Sequence, residues 1–176
     1  MALQVAHTAD LPPAALQAAR SLTYDVFGAE MTASDWEHAL GGVHALIWEG
    51  PELIGHASVI QRRLIHAARV LRAGYVEAVA VRADRRRRGH GAALMGELEH
   101  VIRGGYELGA LGSSVDGAPF YRARGWQPWR GATWALTPQG VVRTADEDGG
   151  IYVLPVSAAL DLDGELTADY RDGELW

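Results

Sequence analysis

The stretch Val79–Met95, VAVRADRRRRGHGAALM, sets four consecutive arginines, Arg85 to Arg88, against two glycines, Gly89 and Gly91, in a chain whose formal net charge is −6. Guanidinium groups beside residues without a Cβ suit a phosphorylated ligand. Successive backbone N–H groups at a helix start can face a diphosphate, and arginine side chains can neutralise further phosphates outside it. A solvated loop is the plain alternative for any basic run. A nucleic-acid surface fits poorly, because it needs more basic area and stacking aromatics, whereas the remainder of this chain is acidic. The loop is neither a Walker loop nor a dinucleotide fingerprint, since the spacings G-K-[ST] and G-x-G-x-x-G are absent.

Just upstream, Glu77 stands in a strand that is otherwise small and apolar from Val76 to Val81, and strict alternation would turn it to the face of Val79 and Val81. A carboxylate in such surroundings is explained either by a buried salt bridge to a preceding arginine or by a role as general base. Two acidic segments seek cations. One is TADEDGG, Thr144 to Gly150; the other is the tail DLDGELTADYRDGELW, Asp161 to Trp176.

The elements that would position these residues can be read coarsely. Asp10 is expected to cap a helix in LPPAALQAARSLTYDVF that stops at Gly28, and Thr32 with Asp35 forms a capping-box pattern before a second short helix. Strands are expected at Val43 to Glu49, Leu53 to Ile65 and GYVEAVAVRAD, followed by a glycine loop and a helix with Leu94, Leu98, Val101 and Ile102 on one stripe. A strand near Leu108 to Leu111, a small helix APFYRARG ended by Gly125, and strands near Thr133 to Thr137 and Ile151 to Val156 complete an α/β (α+β) chain with a mixed sheet of roughly six strands. At 176 residues, the expectation is a single domain, 1–176, whose acidic segment 161–176 completes a binding pocket.

Several classes are set aside. No apolar run approaches the ~18 residues of a membrane span, and the N-terminal MALQVAHTADLPP lacks a signal-peptide pattern, so a soluble, cytoplasmic protein is expected. With zero cysteines there is no disulfide, no thiol nucleophile and no Cys-ligated zinc. GSSVDG misses the serine-hydrolase pattern G-x-S-x-G. DEDGG and DLDGE lack the EF-hand spacing, and the seven histidines form no HExxH, so no metal is expected.

Arg86-Arg87-Arg88-Gly89-His90-Gly91 resembles the coenzyme A loop, Q/R-x-x-G-x-G/A, of the GNAT superfamily of N-acetyltransferases, and it sits between the strand and helix that this loop requires. SDWEHALGGVHALIWEG, GYVEAVAVRAD, YRARGWQPW, IYVLP and DYRDGELW extend the resemblance over nearly the whole chain, to the aminoglycoside 2′-N-acetyltransferases within it. The resemblance implies a GNAT fold, a mostly antiparallel sheet with splayed middle strands, acetyl-CoA as cosubstrate and a homodimer. It places Val79, Ala80 and Val81 along the pantetheine, a backbone N–H near Val79 on the thioester carbonyl, and Arg86, Arg87, Arg88, Gly89, His90 and Gly91 at the pyrophosphate. Glu77 becomes the base for the substrate ammonium, through water, and Tyr121 the acid for the departing thiolate, with packing as its plain alternative. Glu30, Asp35, Glu77, Ala78, Gly112, Asp146, Glu147, Glu174 and the carboxylate of Trp176 would hold the polycationic aminoglycoside. Glu30, Glu147 and Glu174 stand where relatives often carry aspartate, and Gly112 where a serine is common. Acetylation of another amine, such as a peptide, a polyamine or kasugamycin, is the runner-up. A non-catalytic coenzyme A- or drug-binding protein is the alternative outside enzymes.

Overall fold

The computed structural model describes residues 1–176. In chain order the elements are β1 (Ala2–His7), α1 (Pro13–Phe27), α2 (Ala33–His38), β2 (Val43–Glu49), β3 (Glu52–His66), β4 (Arg69–Val81), α3 (His90–Gly105), β5 (Leu108–Gly112), α4 (Ala118–Ala123), β6 (Gln127–Pro128), β7 (Thr133–Thr137), β8 (Gly140–Arg143), β9 (Ile151–Pro155) and β10 (Leu166–Ala168). No helix is long and apolar enough to cross a membrane. The chain divides into two compact units, Met1–Ile60 with Val76–Val101, and Gln61–Tyr75 with Ile102–Trp176.

In the first unit β1, β2 and β3 pair antiparallel in sequence, with Leu3 opposite Ile47 and Ala45 opposite Ala57. Helix α1 opens on Pro13, whose fixed φ suits a first helical position, and closes at Gly28 with φ 61°. Its buried residues Ala15, Ala19 and Leu22 follow helical spacing and pack with Leu11, Trp36, Ala39, Leu46, Leu53 and Ala80. Removing the fully buried Leu46 side chain would cost about 2–5 kcal/mol, as core Leu→Ala changes do. Thr32 and Asp35 form the expected capping box at α2. Helix α3 inserts Leu94, Met95 and Leu98 fully buried, and Gly55 lets Leu94 approach β3: a Cβ on Gly55 would lie 3.2 Å from its Cδ1.

In the second unit the 61–75 segment is a hairpin turned by Ala67 and Ala68, both left-handed at φ 48° and 59°. Tyr75 and its two predecessors pair parallel with β5, which pairs antiparallel with β9, and β9 with β6. Ile65 pairs antiparallel with Thr167 of β10, which runs parallel to β7, itself antiparallel to β8. Both parallel and antiparallel pairs are present, so the sheet is mixed as expected. Trp126 and Ile102 close on Gly109, where a Cβ would lie 2.8 Å from Trp126 Cη2.

The structure corrects three expectations. Asp10 belongs to a short 3-10 turn, Thr8–Asp10, and the N-cap of α1 is Pro12, with no side-chain cap. Ten strands are present where roughly six were expected: β1, β6, β8 and β10 are two to six residues long, too short or too irregular for a period-2 signal. Finally, Ala78 is left-handed, φ 50°. Ala78 and Ala80 both pack toward the α1–α2 cluster, so alternation runs from Ala78 to Val81 and stops at the kink. Glu77 therefore does not take its direction from it.

Candidate active site

The first unit carries a contiguous strand, loop and helix start. The pairing of β4 with β5 is confined to Ala73, Gly74 and Tyr75, which leaves Val76 to Val81 beyond that register. Glu77, Ala78, Val79 and Val81 are half-buried and Ala80 is fully buried. At the strand's end Arg82 N donates to Ile54 O at 2.9 Å, returning the chain to β3.

The loop then turns through a short 3-10 segment, Ala83–Arg85, and two left-handed residues, Arg87 at φ 60° and Gly89 at φ 84°. A Cβ built on Gly89 meets nothing within 4 Å. What this position demands of glycine is thus the sign of φ, not space inside the protein. Ala93 N donates to Gly89 O at 3.0 Å, and the N–H groups preceding Ala93 are those which helix geometry leaves without an intrahelical carbonyl. They make an N-terminal anion seat of the usual polarity.

The arginine run is not uniform. Arg82 donates to Glu52 and Asp84, and Arg85 to Glu49 and Asp84, at 2.6–3.1 Å. The bond from Arg85 holds the Glu49 carboxyl below its ordinary range, and Arg82 does the same for Asp84. Arg86 Nε donates to Val81 O at 3.1 Å, while the side chains of Arg86, Arg87 and Arg88 are exposed. The positive charge free to meet an anion is therefore that of Arg86 to Arg88. Of the remaining expected residues of this unit, Glu30 is exposed in the turn Gly28–Glu30. Asp35 Oδ2 accepts from Thr32 N and Thr32 Oγ1, both at 2.8 Å, in capping α2.

The second unit gathers carboxylates. Asp146 and Glu147 lie in the turn Ala145–Glu147. The Glu147 carboxyl is pushed up, first by burial and then by Glu174 and Asp146, with Arg171 opposing. Two of the expected cation contacts, Glu174 and Asp146, are thus close enough to a third, Glu147, to act on its charge. Asp146 also lines a cavity of about 630 Å³ with Ser113, Ser114, Arg122, Asp148 and Tyr152. Asp148 is already engaged: Arg143 and Thr133 bind it and hold its carboxyl down at about 2. Gly112 ends β5, where a Cβ would stand 3.7 Å from the Tyr75 hydroxyl. Tyr121 on α4 is 9% exposed, with rings of Phe120, Trp126 and Tyr152 around it, and burial pushes its phenol up to about 12.

The tail is held by a residue that sequence reading did not single out. Arg62, 3% exposed, donates Nε to Asp169 Oδ1 at 2.8 Å and Nη2 to the carbonyls of Asp169 and Leu175 at 2.9 and 2.8 Å. Arg171 Nε donates to Glu174 O at 2.7 Å, and the Trp176 indole donates to Thr144 Oγ1 at 2.9 Å. These contacts bring residues 169–176 to the acidic turn. A chain separation of 107 between Arg62 and Asp169 leaves no local pattern from which to foresee them.

A family model described as an acetyltransferase (GNAT) domain matches residues 9–129. The chain is 47% identical over 177 residues to an aminoglycoside 2′-N-acetyltransferase of Mycolicibacterium fortuitum, covering 98% of this chain and 91% of that protein. Among solved structures it is similar to a GNAT family acetyltransferase from Brucella melitensis in complex with acetyl-CoA, with a TM-score of 0.64, 16% identity and 97% of each chain covered. It is also similar to Eis1 from Mycobacterium abscessus, with a TM-score of 0.62, 20% identity and 76% of this chain covered. The chain spans 33% of the length of Eis1. At these identities the structural likeness speaks to the fold, and it bears out the expected α/β acetyltransferase architecture.

Proposed function

The chain belongs to the acetyltransferase (GNAT) family, and from that premise we propose that it transfers the acetyl group of acetyl-CoA to the 2′-amino group of aminoglycoside antibiotics, conferring resistance to them. The observation that supports the substrate class is the half-buried Glu147 carboxyl, with Glu174 and Asp146 beside it and Arg171 opposing them. Like charges gathered around a half-buried carboxyl cost stability unless a cation meets them. A hydroxylated polycation supplies several ammonium groups, and each sheltered charge-assisted contact contributes on the order of 1.5–3 kcal/mol. The acidic segment 161–176 would complete this pocket, with the Trp176 carboxylate as a further contact, and Gly112, Ala78, Glu30 and Asp35 as the remaining substrate contacts.

Acetyl-CoA fits the first unit's loop: two left-handed residues, a helix start and three exposed arginines. In this reading Arg86 to Gly91 bind the pyrophosphate, and Val79 to Val81 offer backbone groups to the pantetheine. The Val79 N–H donates to the thioester carbonyl oxygen, where negative charge develops as the amine attacks. Glu77 takes the proton that the ammonium must lose before its lone pair can attack. Tyr121 stays protonated at neutral pH, because burial holds its phenol near 12, and so can give its proton to the departing thiolate. The protein would work in the cytoplasm as a homodimer.

Thiol release from acetyl-CoA tests this directly. Gentamicin C1a and tobramycin, which carry a 2′-amine, are expected to turn over, with the acetyl group located at that nitrogen by NMR. Kanamycin A and amikacin, with a 2′-hydroxyl, are expected to inhibit competitively and release no thiol. Acetylation of kanamycin A, or of kasugamycin, a polyamine or a peptide alone, would overturn the substrate and keep the reaction. Binding without thiol release from any amine would leave a coenzyme A- or drug-binding protein.

A further inference from the structure

Two histidines lie in the first unit's interior with no part in the chemistry above. His44 on β2 and His56 on β3 are both 0% exposed. The strand register pairs His44 with Ser58 and Leu46 with His56, so the two imidazoles are diagonal neighbours on one face. His44 Nδ1 is 2.9 Å from His56 Nε2, and His44 Nε2 is 2.7 Å from Thr8 Oγ1. At the other end His56 Nδ1 is 3.0 Å from the carbonyl oxygen of Ala78.

Each ring proton along this hydrogen-bonded relay has a determined place. The Ala78 carbonyl can only accept, so His56 carries its hydrogen on Nδ1. Burial keeps both rings neutral, with His44 pushed down to about 4 and His56 to about 3, so His56 Nε2 is bare and accepts from His44 Nδ1. His44 Nε2 is bare in turn and accepts from the Thr8 hydroxyl at 2.7 Å, the shorter of that hydroxyl's two acceptor contacts, the other being Gly42 O at 3.1 Å. The Thr8 oxygen accepts from Gly41 N at 2.9 Å. The hydrogen bonds all run one way, from the turn before β2 to the kink in β4.

That kink is the left-handed Ala78, φ 50°, a conformation unfavourable for a residue with a Cβ and one that needs support from its surroundings. The Ala78 carbonyl and the Val79 N–H belong to one planar peptide unit, and no peptide bond in the chain is cis. Holding the oxygen therefore aims the N–H in the opposite direction. We infer that His56, oriented by His44 and Thr8, is a positioning residue for acetyl transfer: its bond to the Ala78 carbonyl aims the Val79 N–H at the thioester oxygen. This inference rests on the role proposed above for Val79. A hydrogen bond to the carbonyl also polarises the peptide and strengthens its N–H as a donor.

The test pairs a kinetic split with a spectroscopic readout. His56→Leu removes the donor, whereas His56→Asn restores an amide N–H at the place of Nδ1. His56→Leu is expected to lower kcat roughly 10- to 10²-fold, up to the effect of losing one oxyanion donor, with the KM for acetyl-CoA nearly unchanged. His56→Asn is expected to recover most of that loss, and the Val79 amide resonance to move in the first variant and return in the second. In the parent protein, long-range ¹H–¹⁵N spectra should show both imidazoles as neutral Nδ1–H tautomers. A folded His56→Leu protein with the parent's kcat, or a His56 ring protonated on Nε2, would overturn the inference. Should His56→Leu not fold, Thr8→Val cuts the same relay at its outer end. It is expected to shift the Val79 resonance and lower kcat in the same direction; no change in either would also overturn the inference. A parent protein inactive on all aminoglycosides would refute the proposed function instead, and the tautomers and the Val79 resonance would still report on the peptide.

Discussion

The segment from Glu77 to Gly91 and the acidic region from Asp146 to Trp176 solve opposite electrostatic problems by opposite means. The first is built for an anion out of backbone: a kinked strand, two left-handed loop residues and a helix start, all within fifteen consecutive residues. Of its five arginines, Arg82 and Arg85 are tied to Glu49, Glu52 and Asp84, and Arg86 to Arg88 are exposed. The second gathers carboxylates from separate stretches, with the tail held by Arg62, Arg171 and Thr144. Backbone seats tolerate the loss of a single charge and fail when a dihedral angle changes. Side-chain clusters behave the other way round.

The sharpest break in that comparison is Glu77→Gln, a charge change placed inside the backbone-built region. If Glu77 is the base, kcat/KM should fall by roughly 10²-fold or more, and the acidic limb of its pH profile should vanish. Retained activity with an unchanged profile would make Glu77 structural. Next in size is Gly89→Val. Its Cβ enters open space, so the expected loss comes from backbone strain at φ 84°, about 1–3 kcal/mol, or roughly 10- to 10²-fold in acetyl-CoA affinity by calorimetry. Gly89→Asn, which accepts the left-handed region more readily, should lose less. Equal losses for Val and Asn would point to space rather than dihedral angle.

The same contrast explains what could be read in advance. Gly89, Gly91 and the arginines form a local pattern, and so does the Thr32–Asp35 capping box, because the physics that places them acts within a few residues. The kink at Ala78 is not legible: nothing in GYVEAVAV marks an alanine as left-handed, and the hydrogen bond that supports it comes from His56, 22 residues away. The short strands β6, β8 and β10 exist because partners from elsewhere in the chain accept them, which is a tertiary cause with no local trace. Acidic composition marked the segments 144–150 and 161–176, the family resemblance singled out Asp146, Glu147 and Glu174 within them, and the fold sets Glu174 and Asp146 beside Glu147. The clamp that orders the tail, Arg62 on Asp169 and Leu175, could not be seen at all.

Glu147 tests the side-chain region through pH. Its carboxyl titrates above the ordinary range because of burial and the neighbouring Glu174 and Asp146. An acid whose folded pKa is raised binds more protons folded than unfolded, so its contribution is neutral below the unfolded pKa and becomes a cost as pH rises through the folded one. Glu147→Gln should therefore raise the thermal midpoint at neutral pH and flatten its decline from mildly acidic pH. The same change removes a cation contact and should raise the aminoglycoside KM roughly 10-fold, the low end for a charge-assisted bond. Calorimetry of the parent in buffers of different ionisation enthalpy should show aminoglycoside binding releasing protons at mildly acidic pH. A lower midpoint in the variant would mean that Glu147 is paired and not strained.

The smallest effect is expected at Arg85, and its smallness is what the comparison requires. Arg85 looks like a phosphate ligand by position, yet its guanidinium is satisfied by Glu49 and Asp84, both well exposed. Exposed ion pairs of this kind contribute about 0–1 kcal/mol. Arg85→Ala should change acetyl-CoA affinity by no more than roughly threefold, and chiefly by exposing the anionic cargo to Glu49, since Asp84 keeps its bonds from Arg82. Neutralising Glu49 as well, in Arg85→Ala with Glu49→Gln, should return the affinity to the parent's. Arg88→Ala, which removes an exposed guanidinium without freeing a carboxylate bound to it, should cost more and should lower the salt dependence of binding. If Arg85→Ala proves the more damaging of the two, Arg85 leaves its carboxylates to meet the phosphates. The basic run would then act as one charged surface, with no division between tied and free arginines.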